Sequence, residues 1–192
     1  MKKLIFALAL GLTACAGRDA CAKPIMTTLA QKGEWYAGSA PSSPNDSNDR
    51  ICLAGSNIQP FFVLITLSNL PQYFIGLTDS SWSFPPNSHG IIVVTINNHT
   101  YNYLAYAYNG SIDQINTRSS SKIAAQIDQG ELINLVDDME TADSLQLKIG
   151  SSAPITIPLG ESHAVLPAFV TCAGLNNPSP NASSGDPWAP SD

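Results

Sequence analysis

The stretch Gly90–Tyr108, GIIVVTINNHTYNYLAYAY, constrains this chain more than any other. Two β-branched or aromatic runs flank the polar residues Asn97, Asn98, His99 and Thr100, which is the pattern of a β-hairpin. The two-residue loop is Asn97-Asn98 or Asn98-His99. Its length is even in either case, so Ile92, Val94 and Ile96 share a face with Tyr101, Tyr103 and Ala105 in both registers. Asn tolerates positive φ better than other non-glycine residues, which suits the tight turn that right-twisted strands require. The opposite face mixes Ile91, Val93 and Leu104 with Thr95, Thr100 and Asn102 and is expected to be partly dry, under a helix or a second sheet.

Around this hairpin the chain continues to alternate. Ile51–Leu53, Phe61–Leu67 (FFVLITL) and Tyr73–Thr78 read as strands bounded by Gly55, Pro60 and an Asn69-Leu70-Pro71 turn. In the connection Asp79–Gly90, Pro85-Pro86 stiffens the turn, and Trp82 and Phe84 are expected to fold back on the core. Ser119–Val136 places Ile123, Ile127, Ile133 and Val136 near helical spacing after a Ser-rich start, which predicts two short helices parted by Gly130. Leu145–Ile149 and Ile155–Leu159 predict a second hairpin around Gly150-Ser151-Ser152. Glu161–Cys172 reads as a short helix turning Ala164, Val165, Ala168, Phe169 and Cys172 to the sheet, with Pro167 either close to its start or kinking it. The expected fold class is mixed and mainly β, an antiparallel β-sandwich-like sheet with two or three short helices packed on it. A chain of 192 residues that is 44% hydrophobic can bury about two-thirds of its unfolded surface in one domain. The expected division is a signal peptide over 1–14, a tether and flexible loop over 15–50, one β-rich domain over 51–175 and a disordered tail over 176–192. Within the tether, Trp35 and Tyr36 suit a short strand or plug, and Gly38–Asp49, GSAPSSPNDSND, reads as an exposed loop.

The N-terminus MKKLIFALALGLTAC is a targeting segment. Lys2 and Lys3 precede an apolar run, Leu4–Leu12, far short of the roughly 20 residues a spanning helix needs. Leu12-Thr13-Ala14-Cys15 resembles the lipobox of bacterial lipoproteins, which makes Cys15 the expected lipidation site; ordinary cleavage at Ala14-Cys15-Ala16 or Ala20-Cys21-Ala22 is the alternative. Several acyl chains give lasting membrane anchoring where one does not. Cys52 and Cys172 lie at the edges of the patterned region of a chain sent to an oxidising space, and are expected to pair. Cys21 is then left odd if Cys15 is lipidated.

The net charge of −6 offers no cluster of Lys and Arg to displace counterions from a phosphate backbone, which argues against nucleic acid as partner. His89, His99 and His163 fall in a loop, at the hairpin tip and at a helix start, without zinc spacing, so neither metal nor cofactor is expected. Asp46 and Asp49 lack the spacing of a calcium loop. Ser162-His163 beside Glu161 lacks the context of a hydrolase triad, and capping by Ser162 is the plainer reading. Asp137, Asp138 and Glu140 read as the solvated end of a helix before they read as acid–base partners. Among the tyrosines of the hairpin, alternation leaves Tyr106 and Tyr108 facing away from the core, and with Trp82 they form the candidate binding surface. Trp188, alone in a Pro/Ser tail, reads as idle.

The strand ending Leu77-Thr78-Asp79 before Trp82, the hairpin IIVVTINN, the amphipathic stretch before Met139, and the ending Ile157-Pro158-Leu159-Gly160 to Ala164-Val165 and Cys172 together resemble a group of small periplasmic proteins of alphaproteobacteria, similar in layout to the invasion-associated locus B family. The resemblance covers Cys52–Gly174. It implies an export signal and a sandwich-like domain carrying helices, and brings no catalytic residues; the lipobox and the long tail depart from it. The expected function is that of a non-catalytic, lipid-anchored periplasmic protein that binds another envelope or host protein. The alternatives are a small cell-envelope hydrolase and an inhibitor or immunity lipoprotein that plugs a partner enzyme with the loop Gly38–Asp49 or Asp79–Gly90.

Overall fold

The computed structural model describes residues 26–43, 46–67, 72–79, 81–85, 87–109 and 121–176. The expected signal peptide, Cys15, Cys21 and the tail with Trp188 lie outside them. The strands are β1 (Thr27–Lys32), β2 (Trp35–Ser43), β3 (Asp46–Ser56), β4 (Phe61–Leu67), β5 (Gln72–Asp79), β6 (His89–Ile96), β7 (His99–Asn109), β8 (Ser121–Ile127), β9 (Ser144–Ile149) and β10 (Ile155–Pro158). Helices α1 (Gln129–Thr141) and α2 (Leu166–Ala173) and a 3-10 turn at Ser162–Ala164 complete the set. All ten strands form one antiparallel sheet in the order β1-β2-β3-β4-β5-β8-β7-β6-β9-β10. The expected class, mainly β with a few short helices packed on an antiparallel sheet, is therefore the observed one.

One face of this sheet is dry. Phe62 and Leu64 of β4, Ile75 and Leu77 of β5, Ile123 and Ala125 of β8, Tyr103 and Ala105 of β7, Ile92, Val94 and Ile96 of β6, and Leu145 and Leu147 of β9 join a single core with Leu132, Leu135, Val136 and Met139 of α1 and Leu166 and Phe169 of α2. Both helices therefore pack on this inner face. The parity argument holds: the hairpin turns on Asn97-Asn98, Ile96 pairs with His99, and Asn97 carries the positive φ of 50° that the turn requires. A Cys52–Cys172 disulfide ties β3 to α2.

The two ends of the sheet meet. Trp35 Nε1 at the start of β2 donates to the carbonyl of Pro158 at the end of β10 (3.0 Å), and the backbone N–H of Glu34 donates to Glu161 Oε2 (3.1 Å). Gly33, at φ +49°, turns between β1 and β2, and the Glu161 carboxylate occupies the space a Cβ would need there.

Three sequence expectations are corrected. The segment expected as tether and loop is in large part sheet: β1, β2 and the first residues of β3 fall within it. Its small residues gave no hydrophobic alternation, yet Ala37, Gly38, Ser39 and Ala40 are buried, because small side chains let neighbouring elements approach closely. Of the two helices expected over Ser119–Val136, the first is strand β8, seated between β5 and β7. Ile123 and Ile127 fit a strand face as well as a helical stripe, and pairing on both sides outweighed the helix propensity of Ala124 and Ala125. Gly130 lies in the first turn of α1, whose cap is Asp128: its side chain accepts from the backbone N–H of Glu131 (2.7 Å). Finally, Glu161–Cys172 divides into the 3-10 turn and α2, with Pro167 in the first turn of α2. Ser162 is buried and donates to the carbonyl of Leu159 (2.7 Å) rather than capping a helix, and Ala164 faces outward.

Candidate binding face

The outer face of the β6–β7 hairpin carries the candidate site. Since His89 pairs with Tyr106, Ile91 with Leu104 and Val93 with Asn102, their side chains emerge on the same side, away from both helices. Ile91 is 44% exposed, Leu104 50% and Tyr106 49%, which are large values for apolar side chains in a paired sheet. The rings of His89 and Tyr106 lie 6.1 Å apart. Val93 is half-buried beside them, and its partner on β9 is the exposed Lys148. On the other flank Tyr106 pairs with Ala124 of β8. Farther along the same face, Phe61, Val63, Ile65 and Leu67 of β4 and Phe74 of β5 are half-buried. The cover expected over Ile91, Val93 and Leu104 is not there among the described residues.

Of the residues the sequence nominated, Tyr106 is on this face. Trp82 is half-buried and stands edge-on to Phe84 at 5.7 Å, both packed against the core as expected. Tyr108 belongs to β7, and its side chain lies outside the description. Ile91 and Leu104 were missed as site residues. Alternation placed them outward, and only the positions of the helices show that they stay uncovered.

A second constellation joins the hairpin tip to α1. Asp138 Oδ2 receives the Tyr101 hydroxyl at 2.6 Å and lies 2.7 Å from His99 Nδ1, which must donate because a carboxylate only accepts. Asn97 Nδ2 donates to Thr141 Oγ1 at 3.3 Å. Burial, the hydrogen bond to Asp138 and the charges of Asp138, Asp137 and Glu131 hold Tyr101 well above the usual tyrosine range. Burial, with Glu131, Tyr101 and Asp128, does the same for Tyr103, whose buried hydroxyl has no hydrogen-bond partner among the described residues. The rings of Tyr101 and Tyr103 stack at 6.2 Å. A histidine held by a carboxylate is the orienting half of a general base, but the groups around it here act as a latch between hairpin and helix.

An open depression of about 540 Å3 lies over Tyr73, Gln126, Ile127, Asp128 and Gln129. Its one carboxylate, Asp128, is engaged in capping α1. Among the described residues no group of three His, Cys, Asp or Glu side chains is placed to hold a metal ion, and no helix is long and apolar enough to cross a membrane. No protein-family model, curated protein or solved structure matches the chain.

Proposed function

We propose that this is a non-catalytic, exported protein that binds another protein of the cell envelope or host through the outer face of β6–β7. The observation that carries the reading is the row of Ile91, Leu104 and Tyr106, about half exposed on a sheet whose other face is anchored in the core. Exposed apolar side chains that stand together mark interaction sites, and aromatic rings give contact area at small entropic cost. The Cys52–Cys172 disulfide fits an oxidising compartment. The segment ending in Cys15 supports a lipid anchor to hold the protein there, and the resemblance in layout to small periplasmic proteins agrees with export. A hydrolase is the weaker reading, since it needs two titratable groups facing one cleft, and the depression by Asp128 offers one carboxylate already in use. An inhibitor with a plug at Gly38–Asp49 is also weaker, because most of that segment is built into β2 and β3.

The test is affinity capture from envelope fractions with the mature chain and with a Leu104→Ser/Tyr106→Ser form. A partner held by the first and lost by the second is expected; capture of no protein, or equal capture by both, overturns the reading. Mass measurement of the mature N-terminus checks the anchor, with a diacylated or triacylated Cys15 as the expected species. An unmodified N-terminus at Cys15, Ala16 or beyond excludes it.

A further inference from the structure

We infer that the segment seated on the β6–β7 outer face is acidic, with apolar side chains among its carboxylates; this rests on the docking reading above. The inference comes from how charge is distributed over the fold. The chain carries a net charge of −6. Even so, the charged residues at the outward positions of β4, β5, β8, β7, β6 and β9 are Lys122 and Lys148, with His89 as the titratable neighbour, and none is acidic. Lys148 and His89 flank the exposed apolar row on two sides. The acidic residues Asp128, Glu131, Asp137, Asp138, Glu140 and Asp143 are instead gathered on and around α1, which packs on the opposite face of the sheet.

Three occupants compete for this face. A second copy joined by the same face would set Lys148 of each chain against that of the other, which costs free energy where like charges meet. An anionic membrane is a broad plane that repels a body of net negative charge. A protein segment senses only the charges within about 8 to 10 Å, the screening length at physiological salt, and the charged side chains placed outward there are Lys122 and Lys148. The size agrees. Four strands at about 4.8 Å spacing and five residues at about 3.4 Å rise give a footprint of roughly 330 Å2. This suits one chain segment and falls well below the roughly 800 Å2 that each partner buries in a standard globular interface.

The experiment places a photo-reactive benzophenone side chain at Asn102, which is exposed and points outward beside Leu104. The full-length protein is irradiated in the cells that make it, and the attached segment is sequenced by mass spectrometry and resynthesised as a peptide. The expected segment is acidic and requires Leu104 for its capture. Its affinity should fall roughly tenfold in Lys148→Glu and by a similar factor between low and high salt, as expected for a charge at the edge of an interface. A basic or uncharged segment that still needs Leu104, or an affinity unchanged by Lys148→Glu and by salt, overturns the inference and leaves the docking reading standing. Attachment only to lipid, only to a second copy, or to nothing overturns both.

Discussion

Asp138 is the residue on which the tip of the long hairpin depends. Its Oδ2 is shared by Tyr101 and His99, and it is the only protein acceptor the structure shows for either side-chain donor among the described residues. Asp138→Asn replaces a charged acceptor with a neutral one. The expected cost is about 1 to 3 kcal/mol, read from a urea midpoint at unchanged slope. The same change should bring the ionisation of Tyr101 down toward the ordinary tyrosine value of 10.0, read by ultraviolet absorbance titration. Both Tyr101 and Tyr103 have raised folded-state pKa values. Their contribution to stability is therefore complete below the ordinary value and is lost as pH rises above it. Stability should fall above about pH 10 in the wild type, and less steeply in Asp138→Asn. Little of this was legible beforehand: Asp138 read as a solvated helix end and His99 as a loop residue, and their meeting follows from where α1 crosses the sheet. Gly33 is a second sensitive position. Gly33→Ala combines a left-handed backbone with a collision against Glu161, for an expected loss of about 1 to 3 kcal/mol.

At the scale of the element, the sequence was clearest where alternation was strong and one face was buried. In β6 the residues taken as inward, Ile92, Val94 and Ile96, are the buried ones. Where side chains were small, as in β2, or where spacing served two periods, as in β8, pattern did not decide and pairing did. Strand β8 gives a direct test, since Ala124 points outward and is half-buried. Ala124→Thr should leave the thermal midpoint unchanged or slightly higher, because a β-branched side chain suits a pleated surface. In a helix the same change would cost about 0.5 kcal/mol. For α1, whose Leu135 is fully buried, Leu135→Ala should cost about 2 to 5 kcal/mol by leaving a cavity under the sheet. The candidate site was half legible in this sense: parity set Tyr106, Ile91 and Leu104 on one face, while the choice of which face the helices would cover belonged to the assembled core.

For the whole molecule, the disulfide spans 120 residues. Replacing Cys52 and Cys172 together by alanine should lower stability by as much as 4 to 5 kcal/mol, the approximate value for restricting an unfolded loop of that length. Differential scanning calorimetry with and without reductant would show it, provided the reductant has no effect on the double variant. The bridge acts at this scale too, as does the placement of charge: the acidic groups of α1 lie on the helix side of the sheet, and Lys122 and Lys148 on the side of the apolar row.

The contacts of Trp35 with Pro158 and of Glu34 with Glu161 impose an order on biosynthesis. The first hairpin emerges from the ribosome early, but the groups that receive its turn are made more than 120 residues later. Until then β1 and β2 can pair only with each other and with β3, and the disulfide partner of Cys52 is later still. A growing chain therefore stays incomplete through most of its synthesis, and the first hairpin and Cys52 meet these partners only after the last strand and helix have been made.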